Sequence, residues 1–116
     1  MINLIELKLN DSVIKTTRDL GTSFRKLQVL HISRCEVQEL AGICAFDSLQ
    51  ELYCAHNFID DLFDVGFLEN LRILDLEGNN VKGIDNLYSL RPLHKLFSLA
   101  LNDNPVSTEI SYVKVL

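Results

Sequence analysis

The string Leu71-Arg-Ile-Leu74-Asp-Leu76-Glu-Gly-Asn79-Asn-Val81-Lys-Gly-Ile84-Asp-Asn-Leu87-Tyr-Ser-Leu90 changes period midway. Leu74-Asp-Leu76 alternates with period two, the spacing of a short strand with both leucines on one side. Ile84, Leu87 and Leu90 recur every three residues, which suits a 3-10 turn or a short helix facing that same side. Such a unit cannot bury its own apolar edge, so it is stable only when similar units stack on it. Similar units are present. Leucines open them at Leu4, Leu27, Leu49, Leu71 and Leu96, separated by 23, 22, 22 and 25 residues. The first runs Leu4, Leu7, Leu9, Ser12, Ile14, Thr17, Leu20. The second runs Leu27, Leu30, Ile32, Cys35, Val37, Leu40, Ile43, Phe46. The third runs Leu49, Leu52, Cys54, Asn57, Ile59, Leu62, Val65, Leu68, and the fifth Leu96, Leu99, Leu101, Asn104, Val106.

Five units in one register resemble leucine-rich repeats, whose period lies at roughly 20–29 residues. The fold class expected is an α/β leucine-rich repeat solenoid of the 22-residue type. Short parallel strands would line its concave face, and 3-10 or short helices its convex face. Asn57, Asn79 and Asn104 fall where the chain leaves each strand, so their amides are placed to satisfy backbone groups of their own and the adjacent turn. Ser12 and Cys35 hold that column in the first two units. Both bond more weakly than an amide, so the N-terminal end is expected to be less rigid. Residues 1–116 read as one domain. Met1 lies almost on the first repeat, so the chain is expected to be a fragment with incomplete N- and C-terminal caps.

No run of about 18 apolar residues is present, so no membrane-spanning helix is expected, and Met1-Ile-Asn-Leu4 does not resemble a signal peptide. Cys35, Cys44 and Cys54 are odd in number and match no zinc spacing, so neither disulfides nor a metal is expected. Cys35 and Cys54 read as small buried residues and Cys44 as partly exposed. The net charge is −5. Between Leu49 and Leu90 eight acids (Glu51, Asp60, Asp61, Asp64, Glu69, Asp75, Glu77 and Asp85) face only Arg72 and Lys82. An acidic middle argues against nucleic acid as partner and for a basic protein surface. A solvated rim that keeps the solenoid soluble accounts for the same charges.

Residues between the inward leucines should form outward columns on the concave sheet. The first is Glu6, Val29, Glu51, Ile73 and Ser98. The second is Lys8, His31, Tyr53, Asp75 and Ala100. The third is Asn10, Ser33, Ala55, Glu77 and Asn102. Val29, His31, Tyr53 and Ile73 then form an apolar, aromatic centre rimmed by Glu51, Asp75 and Glu77, the usual build of an interaction site. Tyr53 and Ile73 are the expected anchors of a protein partner. Ordinary strand-forming preference would also place Val29 and Ile73 there.

Catalysis is not expected. His31, His56 and His94 lie in three different repeats, and only His31 has a plausible neighbour, Tyr53. There is no nucleophile elbow or phosphate loop. Asp60, Asp61 and Asp64 lie on the convex or descending side and form neither a paired carboxylate site nor a calcium loop. No cofactor is expected.

Near the end, Asn104-Pro105-Val106 followed by Tyr112 resembles the C-terminal cap of phosphatase-regulator-type leucine-rich repeats, with Val113 where that cap has arginine. Pro92 should end or redirect the convex segment of the lengthened fourth unit. More particular strings occur in order: Leu7-Lys-Leu9-Asn10-Asp-Ser12, Arg18-Asp-Leu-Gly-Thr-Ser23, Leu27-Gln-Val-Leu30 with Arg34-Cys35, Glu51-Leu-Tyr53 with Asn57, and Leu74-Asp-Leu-Glu-Gly-Asn79. Over residues 4 to 106 they resemble the family of leucine-rich repeat-containing protein 56, found in motile cilia and flagella. The resemblance implies a cytoplasmic, ciliary or flagellar adaptor in assembly or transport of axonemal dynein arms. Its partners would be dynein-arm or intraflagellar transport components, with no nucleic acid and no membrane, and the module would be monomeric. The matching positions near the concave face are Asn10, Arg34, Glu51, Tyr53, Asp75 and Glu77. The alternative is a regulatory subunit, such as a phosphatase regulator or an axonemal dynein light chain. A spliceosomal scaffold resembling the A-prime protein is disfavoured by the acidic middle.

Overall fold

A computed structural model of the protein describes residues 4–109. Tyr112 and Val113, which carry the capping motif, lie outside the described residues, as does Met1. Five three-residue strands, β1 (Glu6–Lys8), β2 (Val29–His31), β3 (Glu51–Tyr53), β4 (Ile73–Asp75) and β5 (Ser98–Ala100), form one sheet in chain order. Every pairing is parallel, and equivalent positions meet: Glu6 with Val29, Val29 with Glu51, Glu51 with Ile73, Ile73 with Ser98. Each strand leads to a segment on the opposite face. These are 3-10 helices at Thr17–Leu20, Ile43–Ala45 and Phe63–Phe67, then α1 (Ile84–Leu87) running into a 3-10 turn at Tyr88–Leu90. A short α2 (Val106–Glu109) ends the described chain.

The core is the stack of inward side chains. Leu27, Leu30, Leu49, Leu52, Leu71 and Leu74 are sealed from solvent, as are Val65, Leu68 and Leu87 from the other face. Each contributes on the order of 1.5–3 kcal/mol by leaving water. Leu4, Leu7 and Leu9 are only partly buried, because the first unit has a described neighbour on one side only. Thr17 substitutes a polar residue in the inward series, and its hydroxyl donates to the Ala41 carbonyl at 2.7 Å.

The asparagine column does what its position requires. Asn57 Oδ1 accepts from the amides of Cys35 (2.9 Å) and Val37 (3.0 Å) in the preceding unit. Its Nδ2 donates to the carbonyls of Ile32, Cys54 and Ala55. Asn79 and Asn104 repeat the pattern, accepting from Ile59 and Val81 and donating into the turns beside them. Cys35 keeps a thinner version, its thiol donating to the Leu9 carbonyl at 3.0 Å. Ser12 is exposed, so the column has no buried member in the first unit. One position before each column residue the backbone is left-handed: Asp11, Arg34, His56, Gly78 and Asp103 have φ of 66°, 55°, 58°, 70° and 61°. That reversal swings the chain off the sheet and, in every unit but the first, aims the next side chain into the core.

Cys35 and Cys54 are buried free thiols and Cys44 is exposed. Burial, with Asp75 adding to it, pushes the Cys54 thiol far above its ordinary range. Among the described residues no helix is long and apolar enough to cross a membrane.

Candidate functional site

The sheet presents two columns of side chains, set by the parallel register. Val29, His31, Glu51, Tyr53, Ile73 and Asp75 are all half-buried and adjacent, as the repeat spacing predicts. The His31 ring stacks on Tyr53, centroids 4.7 Å apart. His31 Nε2 lies 2.9 Å from Glu6 Oε2, and the Tyr53 hydroxyl donates to Glu51 Oε1 at 2.6 Å. Glu51 holds the phenol proton, partial burial adds to this, and the charges of Glu51, Asp75 and Glu6 reinforce it, so the Tyr53 pKa is pushed up to about 12. These bonds hold both rings in place before any partner arrives, which lowers the ordering cost of binding. The surface is therefore an apolar, aromatic strip, bounded by carboxylates and suited to a basic partner.

Three expectations need correction. The third column is outward only in part: Asn10 and Asn102 are exposed, but its middle is not. Ser33 and Ala55 are buried, because each strand ends after three residues and the chain turns inward there. Ser33 instead serves as a rung: its amide donates to Asn10 Oδ1 at 2.8 Å, and its Oγ accepts from the Ala55 amide at 3.2 Å. Glu77 stays half-buried at the rim. Arg34 lies off the sheet on the left-handed turn, exposed and paired with Asp11 at 2.6 Å. The Arg34 guanidinium beside Asp11 holds that carboxyl below the usual range. His31 is also not alone in having a neighbour, since His56 Nε2 lies 3.9 Å from Glu77 Oε2.

The opposite face carries what sequence reasoning missed. Phe63, Phe67 and Tyr88 are exposed there, Phe63 and Phe67 in an edge-to-face pair with centroids 5.4 Å apart. The available signal was an i, i+4 aromatic pair out of phase with the buried Leu62, Val65 and Leu68. Among the described residues no cluster of His, Cys, Asp and Glu is arranged to hold a metal ion.

Residues 47–89 match the family model described as leucine rich repeats (2 copies). Leucine-rich repeat-containing protein 56 of Rattus norvegicus is 47% identical over 104 residues, covering 90% of this chain. This repeat domain belongs to the leucine-rich repeat-containing protein 56 family. A homologue of a protein phosphatase 1 regulatory inhibitor subunit from Arabidopsis thaliana is 34% identical over 82% of the chain. The chain spans 19% of the rat protein and 29% of the Arabidopsis one. A chain of the Drosophila melanogaster SNF/U2A′ complex superposes with a TM-score of 0.66 at 23% identity, over 94% of this chain and 63% of that one. That likeness shows the fold alone. The chain is a leucine-rich repeat domain of the protein-interaction kind.

Proposed function

We propose that this domain is a non-enzymatic adaptor that holds a protein partner on its concave sheet, in the assembly or transport of axonemal dynein arms. The observation that carries the binding reading is the preset His31–Tyr53 stack between Val29 and Ile73, edged by Glu51, Asp75 and Glu77. Such a strip supplies aromatic anchoring and repels acidic partners. The cellular reading rests on membership of the leucine-rich repeat-containing protein 56 family and on what the resemblance implies about dynein arms. A dynein-arm or intraflagellar transport component with a basic surface is the partner proposed, and the site of action is the cytoplasm and the cilium or flagellum.

The likeness to the Arabidopsis phosphatase-subunit homologue favours a second reading, a regulatory subunit of a phosphatase complex. Proximity labelling in a flagellated cell separates the two. Enrichment of dynein-arm and transport proteins supports the first, and enrichment of a phosphatase catalytic subunit supports the second. A nuclear location with normal flagella after deletion rejects the ciliary reading.

A further inference from the structure

A groove runs on the face opposite the sheet, between the 3-10 helix Phe63–Phe67 and the segment α1 begins. Phe63, Gly66, Phe67, Asp85, Tyr88, Ser89 and Pro92 line a cavity of about 330 Å³. Its walls are aromatic and outward: Phe63, Phe67 and Tyr88 are 61%, 56% and 43% exposed. Its floor is close backbone contact, since a Cβ on Gly66 would collide with the Ser89 carbonyl oxygen. The two segments are thus in close backbone contact beneath the cavity. The cavity lies at the small end of the roughly 300–1,000 Å³ typical of ligand sites, enough for one bulky side chain.

One lining residue, Asp85, is acidic. Asp64 lies on the same helix as the two phenylalanines, and Asp61 precedes that helix and accepts from the Phe63 amide. Among the described residues these three carboxylates form no ion pair, and the Arg91 guanidinium lies over the Tyr88 ring at 4.4 Å. Two copies meeting groove to groove would bring like carboxylates together and be repelled, whereas a basic segment would be drawn in.

We propose that this groove docks a short basic peptide segment of a second protein, one bulky apolar side chain seated between Phe63, Phe67 and Tyr88 and flanking Lys or Arg residues facing Asp61, Asp64 and Asp85. The site is separate from the concave sheet, so the domain has two docking faces and can bridge two proteins.

Selection of random dodecapeptides displayed on phage against residues 1–116 tests this. The pool should be enriched in a Leu, Phe or Met beside Lys or Arg and depleted of acids. Selected peptides, made with a fluorescein label, should bind about tenfold or more weakly to Phe63→Ser/Phe67→Ser. Both residues are exposed, and circular dichroism checks that this variant folds. Asp64→Lys/Asp85→Lys should weaken the same peptides without touching the apolar walls, and added salt should weaken them in the parent. Tyr53→Ala should leave them unchanged, which keeps this outcome independent of the concave reading. A pool with no basic bias, peptides indifferent to the Phe63/Phe67 pair, or self-association abolished by that variant would each overturn the proposal.

Discussion

The His31 imidazole lies flat on the Tyr53 ring, the planes 11° from parallel. Both rings are tied by their polar ends, His31 to Glu6 and Tyr53 to Glu51, so the apolar faces are held still. An anchor already in its bound rotamer loses little entropy on binding. Replacing Tyr53 and Ile73 together with alanine should therefore weaken a native partner by about ten- to thirtyfold, the range of one strong anchor. Neither side chain is in the sealed core, so the urea midpoint should move little. Titration calorimetry against a partner recovered by proximity labelling makes the measurement, and unchanged affinity removes the concave face from consideration.

The same hydrogen bond has a titration signature. Tyr53 keeps its proton up to about 12, against an ordinary value of 10.0, chiefly because Glu51 accepts it. A proton held more tightly in the folded chain than in the unfolded one stabilises the fold below pH 10 or so. That contribution falls away as pH climbs from about 10 to about 12. Phenolate absorbance in a Tyr88→Phe background should show a late-titrating tyrosine, and Glu51→Gln should bring its midpoint down. A midpoint unmoved by Glu51→Gln would mean that burial, not the bond, sets the value.

The sheet is legible from sequence for a specific reason. Parallel units of nearly constant length keep equivalent residues in register, so Val29, Glu51 and Ile73 had to be neighbours once the leucines were aligned. The third column was not legible, because its fate depends on where the strand stops. Alternation alone does not say that the ladder ends at His31 and Tyr53 and that the next outward positions, Ser33 and Ala55, turn in. Arg34 was misplaced for the same reason: nothing in the pattern marks a left-handed arginine. The aromatic groove was hidden because repeat reading attends to the buried period, and Phe63 and Phe67 lie between its members.

The ladder sets a large single-residue stability effect for a polar side chain. Asn57→Ala leaves the buried amides of Cys35 and Val37 without an acceptor and strips three carbonyls of a donor. At about 1–3 kcal/mol for each buried group left unsatisfied, the total should reach roughly 2–4 kcal/mol after local relaxation. Cys35→Ala removes only a weak thiol donor and should cost clearly less. Urea unfolding of the two variants side by side gives the comparison, and equal losses would show that the amide column adds nothing beyond packing.

The left-handed turn offers a stabilising change. His56 occupies at φ 58° the position that Gly78 fills in the next unit. A side chain there costs about 1–2 kcal/mol of steric strain, partly offset by the greater freedom glycine loses on folding. The loose approach of His56 to Glu77 is exposed and worth little. His56→Gly should raise stability by about 0.5–1 kcal/mol, while His56→Ala should not. Thermal unfolding of both variants decides it, and a gain from alanine would place the effect outside backbone strain.

Gly66 makes the opposite case. Its need is for space rather than a special φ, because any Cβ would strike the Ser89 carbonyl oxygen of the neighbouring unit. That oxygen belongs to backbone, so relief requires the Phe63–Phe67 helix and the Tyr88–Leu90 turn to move apart. Overpacking of this kind costs about 1–3 kcal/mol. Gly21→Ala is the informative comparison: its added Cβ meets open space, and the cost there is only that of a residue at φ 74°. Gly66→Ala should lower the urea midpoint and, by prising open the groove floor, also weaken peptides selected for the Phe63–Tyr88 groove. Gly21→Ala should spare those peptides even where it costs comparable stability. Loss of peptide binding in both variants would trace the effect to general loosening of the stack, and retention in Gly66→Ala would show that the contact with Ser89 does not set the groove.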